Sequence, residues 1–239
     1  MITCRVCQRT NHHLATVCPA CGSYLQQKVD NIDLFDTIWK VIESPRLGFR
    51  TVALATHKNF CLFISSVAGV GFAFTLFWFI HFGDVVPELI SLLLIGLLFG
   101  VALGPLTVLV FSAFLKAVTA LGGMKARFRN IFAVASYSLI PVLFSVVLIL
   151  PIELLTFGSF MFSRNPSPFL LRPFSYLMIM GFDALCAVWT VVLVTIALKA
   201  LTEEGWGRVL AAAGAAVGLF AGFFGFAVIP FLTYLQHHL

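Results

Sequence analysis

Apolar residues fill five long runs of the chain, and short polar segments separate these runs. A helix that crosses the bilayer hydrocarbon, about 30 Å thick, needs about 20 consecutive apolar residues. The runs reach that length at approximately residues 60–82, 88–121, 131–155, 174–199 and 207–234. The pattern therefore predicts an all-α polytopic membrane protein, with five transmembrane helices in residues 59–239.

The second run raises a question of topology, because it is longer than a simple crossing requires and contains Gly104-Pro105. It forms either one tilted, kinked helix or a hairpin of two short segments. Lysine and arginine favour loops on the cytoplasmic side of a membrane. A hairpin would move the cluster of Lys125, Arg127 and Arg129 to the other side. We therefore expect five spans in the cell (inner) membrane, a cytoplasmic N-terminus and a C-terminus outside.

The composition agrees with this class: 60% of residues are hydrophobic, 10% are charged, and the mean hydropathy is +1.02. Soluble domains have a charged fraction of about 25%. The first 30 residues contain no apolar run that would act as a secretory signal, which is consistent with a cytoplasmic start. The net charge of +5 reflects the orientation of the spans, so the lipid bilayer is a predicted partner and nucleic acid is not.

Four cysteines near the N-terminus form two Cys-x-x-Cys pairs, Cys4 with Cys7 and Cys18 with Cys21. This spacing is typical of a zinc ribbon, in which four thiolates surround one structural Zn²⁺. A cytoplasmic location keeps thiols reduced and favours metal binding over disulfides. Residues 1–27 are therefore predicted to be a zinc ribbon that contacts a cytosolic or membrane protein partner. Four thiolates also suit iron, so the choice between the two metals stays open.

Residues 31–58 connect the ribbon to the first span and show helical periodicity, with charged residues opposite an apolar face. The apolar positions are Leu34, Phe35, Ile38, Val41 and Ile42. Asp33 is a predicted N-cap, and Ser44-Pro45 ends this helix and begins a second one. Two environments are open for the apolar face: the cytoplasmic headgroup region of the bilayer, or the cytoplasmic ends of the helix bundle.

Glycines at four-residue intervals mark one face in each of two predicted spans. They are Gly96, Gly100 and Gly104 in the second span, and Gly214, Gly218 and Gly222 in the fifth. Small residues at this spacing let two helix backbones approach closely. Packing within the chain is the preferred interpretation, and a homo-oligomeric interface is the alternative.

The third and fourth spans contain polar features at predicted mid-depth. Pro141 interrupts the third span and leaves the carbonyl of Tyr137 without its helical donor. Asp183 lies well inside the fourth span, where a charge costs at least about 2.5 kcal/mol. We expect a protonated Asp183 to donate a hydrogen bond to this freed backbone. The alternative is a proton or ion relay, with Glu153 near the outer membrane edge as the second carboxyl group.

The segment ARFRNIFAVASYSLIPVLF carries a family resemblance through Phe128, Phe132, Ala135, Tyr137 and Pro141, which follow a Gly-Gly pair. It resembles the YIP family of membrane proteins, named for interaction with Ypt and Rab GTPases. The segment SPRLGFRTV is similar to the approach to the first span in prokaryotic members, which often carry an N-terminal zinc ribbon. The resemblance covers roughly residues 34–234 and implies a five-span protein that organises membranes or recruits partners. The Asp-Leu-Tyr-Gly-Pro signature of eukaryotic members is absent, so Rab binding is not implied.

These observations predict a non-enzymatic multi-pass scaffold or recruitment protein whose ribbon contacts a partner. The sequence has no His-Glu-x-x-His motif, and its histidines lie in the ribbon or near span ends, which leaves little basis for catalysis within the membrane. The alternative function is a small transporter, or an ion or proton pathway, centred on Asp183 and the Pro141 kink.

Overall fold

The computed structural model of the protein describes residues 1–26, 29–202 and 204–230. Five helices in these ranges are long and apolar enough to cross a membrane: Cys61–Ile80, Leu89–Leu121, Phe128–Phe162, Pro173–Leu201 and Trp206–Phe226. The predicted all-α polytopic class is therefore confirmed. Residue 27 of the predicted ribbon and residues 231–234 of the predicted fifth span lie outside the described residues.

The N-terminal residues form a small β-structure around the cysteines. Strands β1 (Ile2–Thr3) and β2 (Thr10–Asn11) pair in antiparallel orientation. Farther along the chain, Val17 and Tyr24 form an isolated antiparallel bridge. Each pairing closes a loop that carries one Cys-x-x-Cys pair. We call residues 1–26 the ribbon.

Two ten-residue helices, α1 (Leu34–Glu43) and α2 (Pro45–Leu54), follow the ribbon. The side chain of Asp33 accepts a hydrogen bond from the amide of Asp36 at 2.8 Å, so Asp33 is the N-cap that the sequence predicts. Pro45 occupies the start of α2, where its missing amide hydrogen breaks no helical hydrogen bond.

The apolar residues of these two helices are divided between two environments. Val41 is fully buried and belongs to the same core as Phe49 and Val52. Phe35 and Trp39 are instead 80% and 65% exposed. Part of the apolar face therefore packs on the helix bundle, and the remainder is free to contact the headgroup region of a bilayer.

The first and second spans are α3 (Cys61–Ile80) and α4 (Leu89–Leu121). Helix α4 runs through 33 residues with Pro105 inside it. The hairpin alternative at Pro105 is therefore excluded, and the second span is one long helix.

The third span is a series of α-helical segments that includes one π-helical turn and ends in one 3₁₀ turn. It consists of α5 (Phe128–Tyr137), α6 (Ile140–Phe144), a π-helical turn (Ser145–Ile149), α7 (Leu150–Phe157) and a 3₁₀ turn (Gly158–Phe162). The break before α6 coincides with Pro141, which cannot donate to the helical hydrogen-bond ladder. The span is longer at both ends than the predicted range 131–155, and Glu153 is therefore farther from its end than expected.

A short helix, α8 (Pro168–Leu171), leads into the fourth span, α9 (Pro173–Leu201). The fifth span begins with α10 (Trp206–Phe223) and continues as a π-helical turn (Phe224–Val228). Helix α10 packs on α4 and α9.

The bundle has two ends, which we distinguish by the position of the ribbon. The ribbon side contains the first residues of α3 and α5, and there His13 Nε2 lies 3.3 Å from the carbonyl oxygen of Ala200. The amide of Thr56 also donates to the carbonyl of Val29 at 2.8 Å. On the far side, the 3₁₀ turn that ends the third span packs on residues 82–84 between α3 and α4.

Candidate metal centre and intramembrane carboxyl pair

The sulfur atoms of Cys4, Cys7, Cys18 and Cys21 all lie within 4.8 Å of one another. The distances from Cys4 to Cys21 and from Cys7 to Cys18 are both 3.6 Å. Disulfide-bonded sulfurs lie about 2.05 Å apart, so these four thiols are free. Thiolates bound to Zn²⁺ at about 2.3 Å in a tetrahedron lie about 3.8 Å apart. The cluster therefore has the donor set and the spacing to hold a metal ion.

Both Cys-x-x-Cys loops use the same backbone hydrogen bonds. The amides of Cys4 and Cys18 each donate to the carbonyl five residues farther on, at 2.9 Å. The amides of Gln8 and Gly22 donate back to the carbonyls of Cys4 and Cys18, at 3.0 and 2.9 Å. Gln8 and Gly22 have φ values of 58° and 72°, which turn the chain back on itself. Two equivalent loops thus direct their thiols to one point.

Ser23 lies beside the thiol cluster. Its Oγ is 3.0 Å from the sulfur of Cys4 and 3.1 Å from that of Cys21. This hydroxyl is the main cause that lowers the pKa of Cys4 to about 6, and backbone amides lower the pKa of Cys18. Since the thiolate is the form that binds metal, these contacts favour the ligand state of Cys4 and Cys18.

The ribbon is fixed to the ribbon side of the bundle by polar contacts. Gln26 Nε2 donates to the carbonyls of His13 and Ala15 at 3.0 Å, which holds the segment between the two Cys-x-x-Cys loops. Arg50 of α2 donates to Gln26 Oε1 at 2.8 Å. The amide of His57 donates to the carbonyl of Asp30 at 3.0 Å. The cysteine cluster is therefore held in a defined position on the helices.

A second polar cluster lies between the third and fourth spans. Asp183 accepts a hydrogen bond from Ser145 Oγ at 2.5 Å, and its carboxyl group interacts with that of Glu153. Glu153 is 6% exposed, and its Oε1 has no hydrogen-bond partner among the described residues. All three side chains line a cavity of 500 Å³ whose other walls are mainly aromatic and aliphatic. Two carboxyl groups thus share an apolar cavity within the membrane-spanning segments.

The hydrogen bond predicted between Asp183 and the backbone at Pro141 is wrong. The partner of Asp183 is Ser145, the first residue of the π-helical turn and four residues after Pro141, although α9 also packs along α5 and α6. Tyr137 is fully buried just before the break, and its hydroxyl donates to the carbonyl of Asn59 at 3.0 Å. Tyr137 therefore connects the break to the start of α3.

The glycines of α4 lie directly against α3. The closest approaches of a Cβ built at each position are 1.9 Å to the carbonyl oxygen of Ser65 for Gly104, 2.5 Å to Cα of Val70 for Gly100, and 2.6 Å to the ring of Phe74 for Gly96. No side chain fits at Gly104 or Gly100 unless the two backbones separate.

The glycines of α10 have a different environment. A Cβ built at Gly214, Gly218 or Gly222 meets no described atom within 4 Å. Helix α10 contacts the bundle through other residues, including the buried Ala212 and Ala216. Packing of these glycines within the chain, the preferred interpretation of their spacing, is therefore wrong.

Residues 39–229 match the family model of the Yip1 domain. The chain belongs to the Yip1 domain family. This match confirms the predicted YIP resemblance and covers the bundle from within α1 to the fifth span. The cysteine cluster precedes the matched range. No curated protein and no solved structure gives a significant match.

The sequence contains only weak signals for three polar residues at these two sites. Within the Yip1 domain, Ser145 and Glu153 are eight residues apart, a spacing that places two side chains on one helix face. That spacing relates Ser145 to Glu153, and only the packing of α9 on the third span brings Asp183 to them. Outside the Yip1 domain, Ser23 follows Cys21 by two residues, and only the folded loop brings it to Cys4.

Proposed function

We propose that this Yip1 domain membrane protein is a non-enzymatic scaffold that recruits a protein partner through its ribbon. The observation that carries the proposal is a pair of exposed apolar side chains on a ribbon that is fixed to the membrane domain. Val6 lies between Cys4 and Cys7 and is 73% exposed, and Tyr24 follows the second Cys-x-x-Cys pair and is 80% exposed. Arg5 and Arg9 are exposed near Val6. These side chains fit a partner with an apolar patch that is bordered by acidic residues.

The proposed metal is zinc in a structural role. Four thiolates fill a tetrahedral shell and leave no open position for catalysis. A segment as short as the ribbon buries too little apolar surface to fold alone, so metal binding would supply the folding free energy. Elemental analysis of the purified protein should give one zinc per chain and none in Cys18→Ser/Cys21→Ser. One iron per chain would contradict the choice of metal and leave the structural role in place.

The proposed orientation places the ribbon in the cytoplasm and the C-terminus outside, in the cell (inner) membrane. Its support is the charge difference between the two ends of the bundle. The ribbon side includes Lys58, Lys116, Lys125, Arg127, Arg129 and Lys199, and the far side has Arg164 and Arg172. A thiol reagent that does not cross membranes should label a cysteine introduced at Ser167 in intact cells. It should label one introduced at Thr10 only after lysis.

Crosslinking mass spectrometry on native membranes tests the recruitment. Wild type is compared with Val6→Asp/Tyr24→Asp, which changes the exposed surface and keeps all four cysteines, and with Cys18→Ser/Cys21→Ser, which removes the metal site. We expect both variants to insert normally and to lose the same crosslinked partner. Cys186→Ser, which removes a thiol far from the ribbon, is the matched control and should retain it. Unchanged neighbours in Val6→Asp/Tyr24→Asp would overturn the proposal.

A second candidate function is an ion or proton pathway through the membrane domain. The observation that favours it is the buried Glu153 beside Asp183 in the intramembrane cavity. Intramembrane carboxyl groups that face a cavity are typical of proton and cation pathways. The adjacent π-helical turn is also a form of winding that occurs often at functional sites.

Proton flux into proteoliposomes that contain the full chain distinguishes the two candidates. A pathway predicts flux above that of protein-free vesicles, and a loss of at least about tenfold in Asp183→Asn and in Glu153→Gln. It also predicts no change in Val6→Asp/Tyr24→Asp. If wild-type flux equals that of empty vesicles, the pathway is excluded for protons, and the pair has a structural role that thermal unfolding of Asp183→Asn would measure.

A further inference from the structure

A strongly basic cavity lies on the ribbon side, and its lining includes none of the four ribbon cysteines and neither carboxyl group of the intramembrane pair. It has a volume of 1020 Å³ and is lined by residues 12 and 14–16 of the ribbon and by the ends of α2, α4 and α5. Five cations line it: Lys58, Lys116, Lys125, Arg127 and Arg129. Its described lining contains no aspartate or glutamate. We call this cavity the basic cleft.

Three cations of the basic cleft, two of them partly buried, donate hydrogen bonds to backbone carbonyls rather than to acidic side chains. Lys58 Nζ donates to the carbonyl of Ala53 at 2.9 Å and Lys116 Nζ donates to that of Ala126 at 2.8 Å. Arg129 donates to the carbonyl of Thr56 at 2.6 Å. A carbonyl carries no net charge, so these contacts fix the positions of the cations without neutralising them. The cleft is therefore preorganised for an anion.

The titration of Lys58 agrees with this excess of positive charge. Burial, and in addition the charge of Arg129, lower the pKa of Lys58 to about 8. An ammonium group in such a site gains stability when an anion binds beside it. Bound anion would thus raise the pKa of Lys58 again.

The start of α5 adds a further attraction for anions. Arg127 is its N-cap residue, and no side chain accepts a hydrogen bond from the first-turn amides. The N-terminus of a helix carries partial positive charge and unpaired amides, which favour phosphate groups. Both Arg127 and Arg129 therefore act at a helix end that already attracts anions.

The level of the basic cleft in the bundle identifies the source of the anion. Lys58 lies three residues before α3, and Lys125 lies between the end of α4 and the start of α5. These span ends are where the lipid headgroups meet the protein. Leu121 and Phe128, which flank the cationic loop, are 89% and 41% exposed and are available to acyl chains. A soluble phosphate compound would gain nothing from these apolar neighbours.

We propose that the basic cleft binds the phosphate of an anionic phospholipid, with the ribbon as one wall of the site. Lys125, Arg127 and Arg129 contact the headgroup from the loop and the first turn of α5, and Lys58 and Lys116 contact it from the floor. Since residues 12 and 14–16 lie between Cys7 and Cys18, the fold of the ribbon also shapes the site. Lipid binding and metal binding are therefore coupled.

Native mass spectrometry of the detergent-solubilised full chain tests this site, with phosphatidylglycerol and phosphatidylcholine as probes. We expect wild type to bind phosphatidylglycerol in preference to phosphatidylcholine. Lys125→Gln/Arg127→Gln should bind phosphatidylglycerol at least about tenfold more weakly than wild type does, since each surface cation contributes to anionic-lipid binding. This variant spares the three cations that bond backbone carbonyls, so its fold is not at risk. Arg5→Gln/Arg9→Gln removes equal charge outside the cleft and should bind as wild type does.

Competition with inorganic phosphate distinguishes a lipid from a soluble ligand. Millimolar phosphate should leave the bound phosphatidylglycerol in place, because the acyl chains contribute to binding. Displacement by phosphate would overturn the assignment to lipid. Equal binding of the two lipids, or equal loss in Lys125→Gln/Arg127→Gln and the control variant, would overturn the site itself. Removal of the ribbon metal by a chelator should weaken phosphatidylglycerol binding in wild type, and unchanged binding would overturn the coupling.

Discussion

Helices α4 and α10 each carry three glycines at four-residue intervals, and the two sets have different surroundings. In α4 the glycines lie so close to α3 that a Cβ at Gly104 would come within 1.9 Å of a backbone oxygen. In α10, a Cβ at the equivalent positions, such as Gly218, meets no described atom of the chain within 4 Å. The same local pattern is thus an interhelical contact in one helix and an exposed surface in the other.

The difference shows what small residues do in a membrane helix. Glycine permits close approach of two backbones, but it supplies no attraction that selects the partner. Helix α3 offers α4 a complementary surface, because Gly69 lies opposite Gly100 and Gly104. Helix α10 instead meets the bundle through aromatic and alanine contacts, including Phe220 against Phe111. The outward glycines of α10 are therefore available to lipid or to another chain.

A series of single glycine-to-alanine substitutions tests this comparison, and Gly104→Ala should have the largest effect. The added methyl group would meet the backbone of Ser65, which cannot rotate away, so α3 and α4 must separate. We expect a loss of about 3 kcal/mol or more in unfolding free energy, at the upper end for overpacking. Denaturant unfolding in micelles, followed by tryptophan fluorescence, measures it. Wild-type stability would contradict the close contact of α3 and α4.

Gly96→Ala should have an intermediate effect in the same assay. Its Cβ would lie 2.6 Å from Cζ of Phe74, and a side-chain ring can shift where a backbone cannot. We expect a loss of about 1 kcal/mol. A loss as large as that of Gly104→Ala would show that Phe74 is fixed in place by its aromatic neighbours, Phe77 and Phe162.

Gly218→Ala should have the smallest effect, within about 0.5 kcal/mol of wild type, since its Cβ meets no atom of the described residues within 4 Å. A strong destabilisation would show that the exposed face of α10 is covered in the native protein. That result would contradict the assignment of different surroundings to the glycines of α4 and α10.

Gly218→Leu tests the homo-oligomer alternative for the exposed glycines of α10. The larger side chain should leave the unfolding of the monomer unchanged, because it points away from the bundle. If two chains associate through α10, the leucine side chain should also abolish energy transfer between differently labelled copies of the protein in a bilayer. Energy transfer that is equal in Gly218→Leu and wild type would exclude α10 as the interface.

Much of the fold followed from one-dimensional patterns. Hydropathy located all five spans, and the charge distribution favoured one helix across Pro105, as the structure shows. These predictions succeeded because the bilayer imposes the same length and polarity on every helix that crosses it. The end of the third span was placed too early, because its 3₁₀ turn is held by burial of Met161 and Phe162.

The candidate sites were less predictable, and the reason is distance along the chain. Cys4, Cys7, Cys18 and Cys21 were assigned to one cluster because metal ligands recur at fixed short spacings. The pairing of Glu153 with Asp183 depends instead on how α7 and α9 pack, and these residues are 30 positions apart. The basic cleft combines cations from three separate segments, so its shape exists only after the ribbon contacts the helices.

Three features follow from local patterns in the sequence: the five apolar helices, the four-cysteine head and the side of the bundle that is rich in basic residues. Each of these depends on local spacing, composition or the bilayer, and needs no information about which helices touch. Only the tertiary structure decided that the glycines of α4 are buried and those of α10 exposed, and that Asp183 meets Ser145 rather than the backbone at Pro141. The physical reason is that partner choice depends on complementary shapes of two surfaces, and a repeat in one helix describes only one of them.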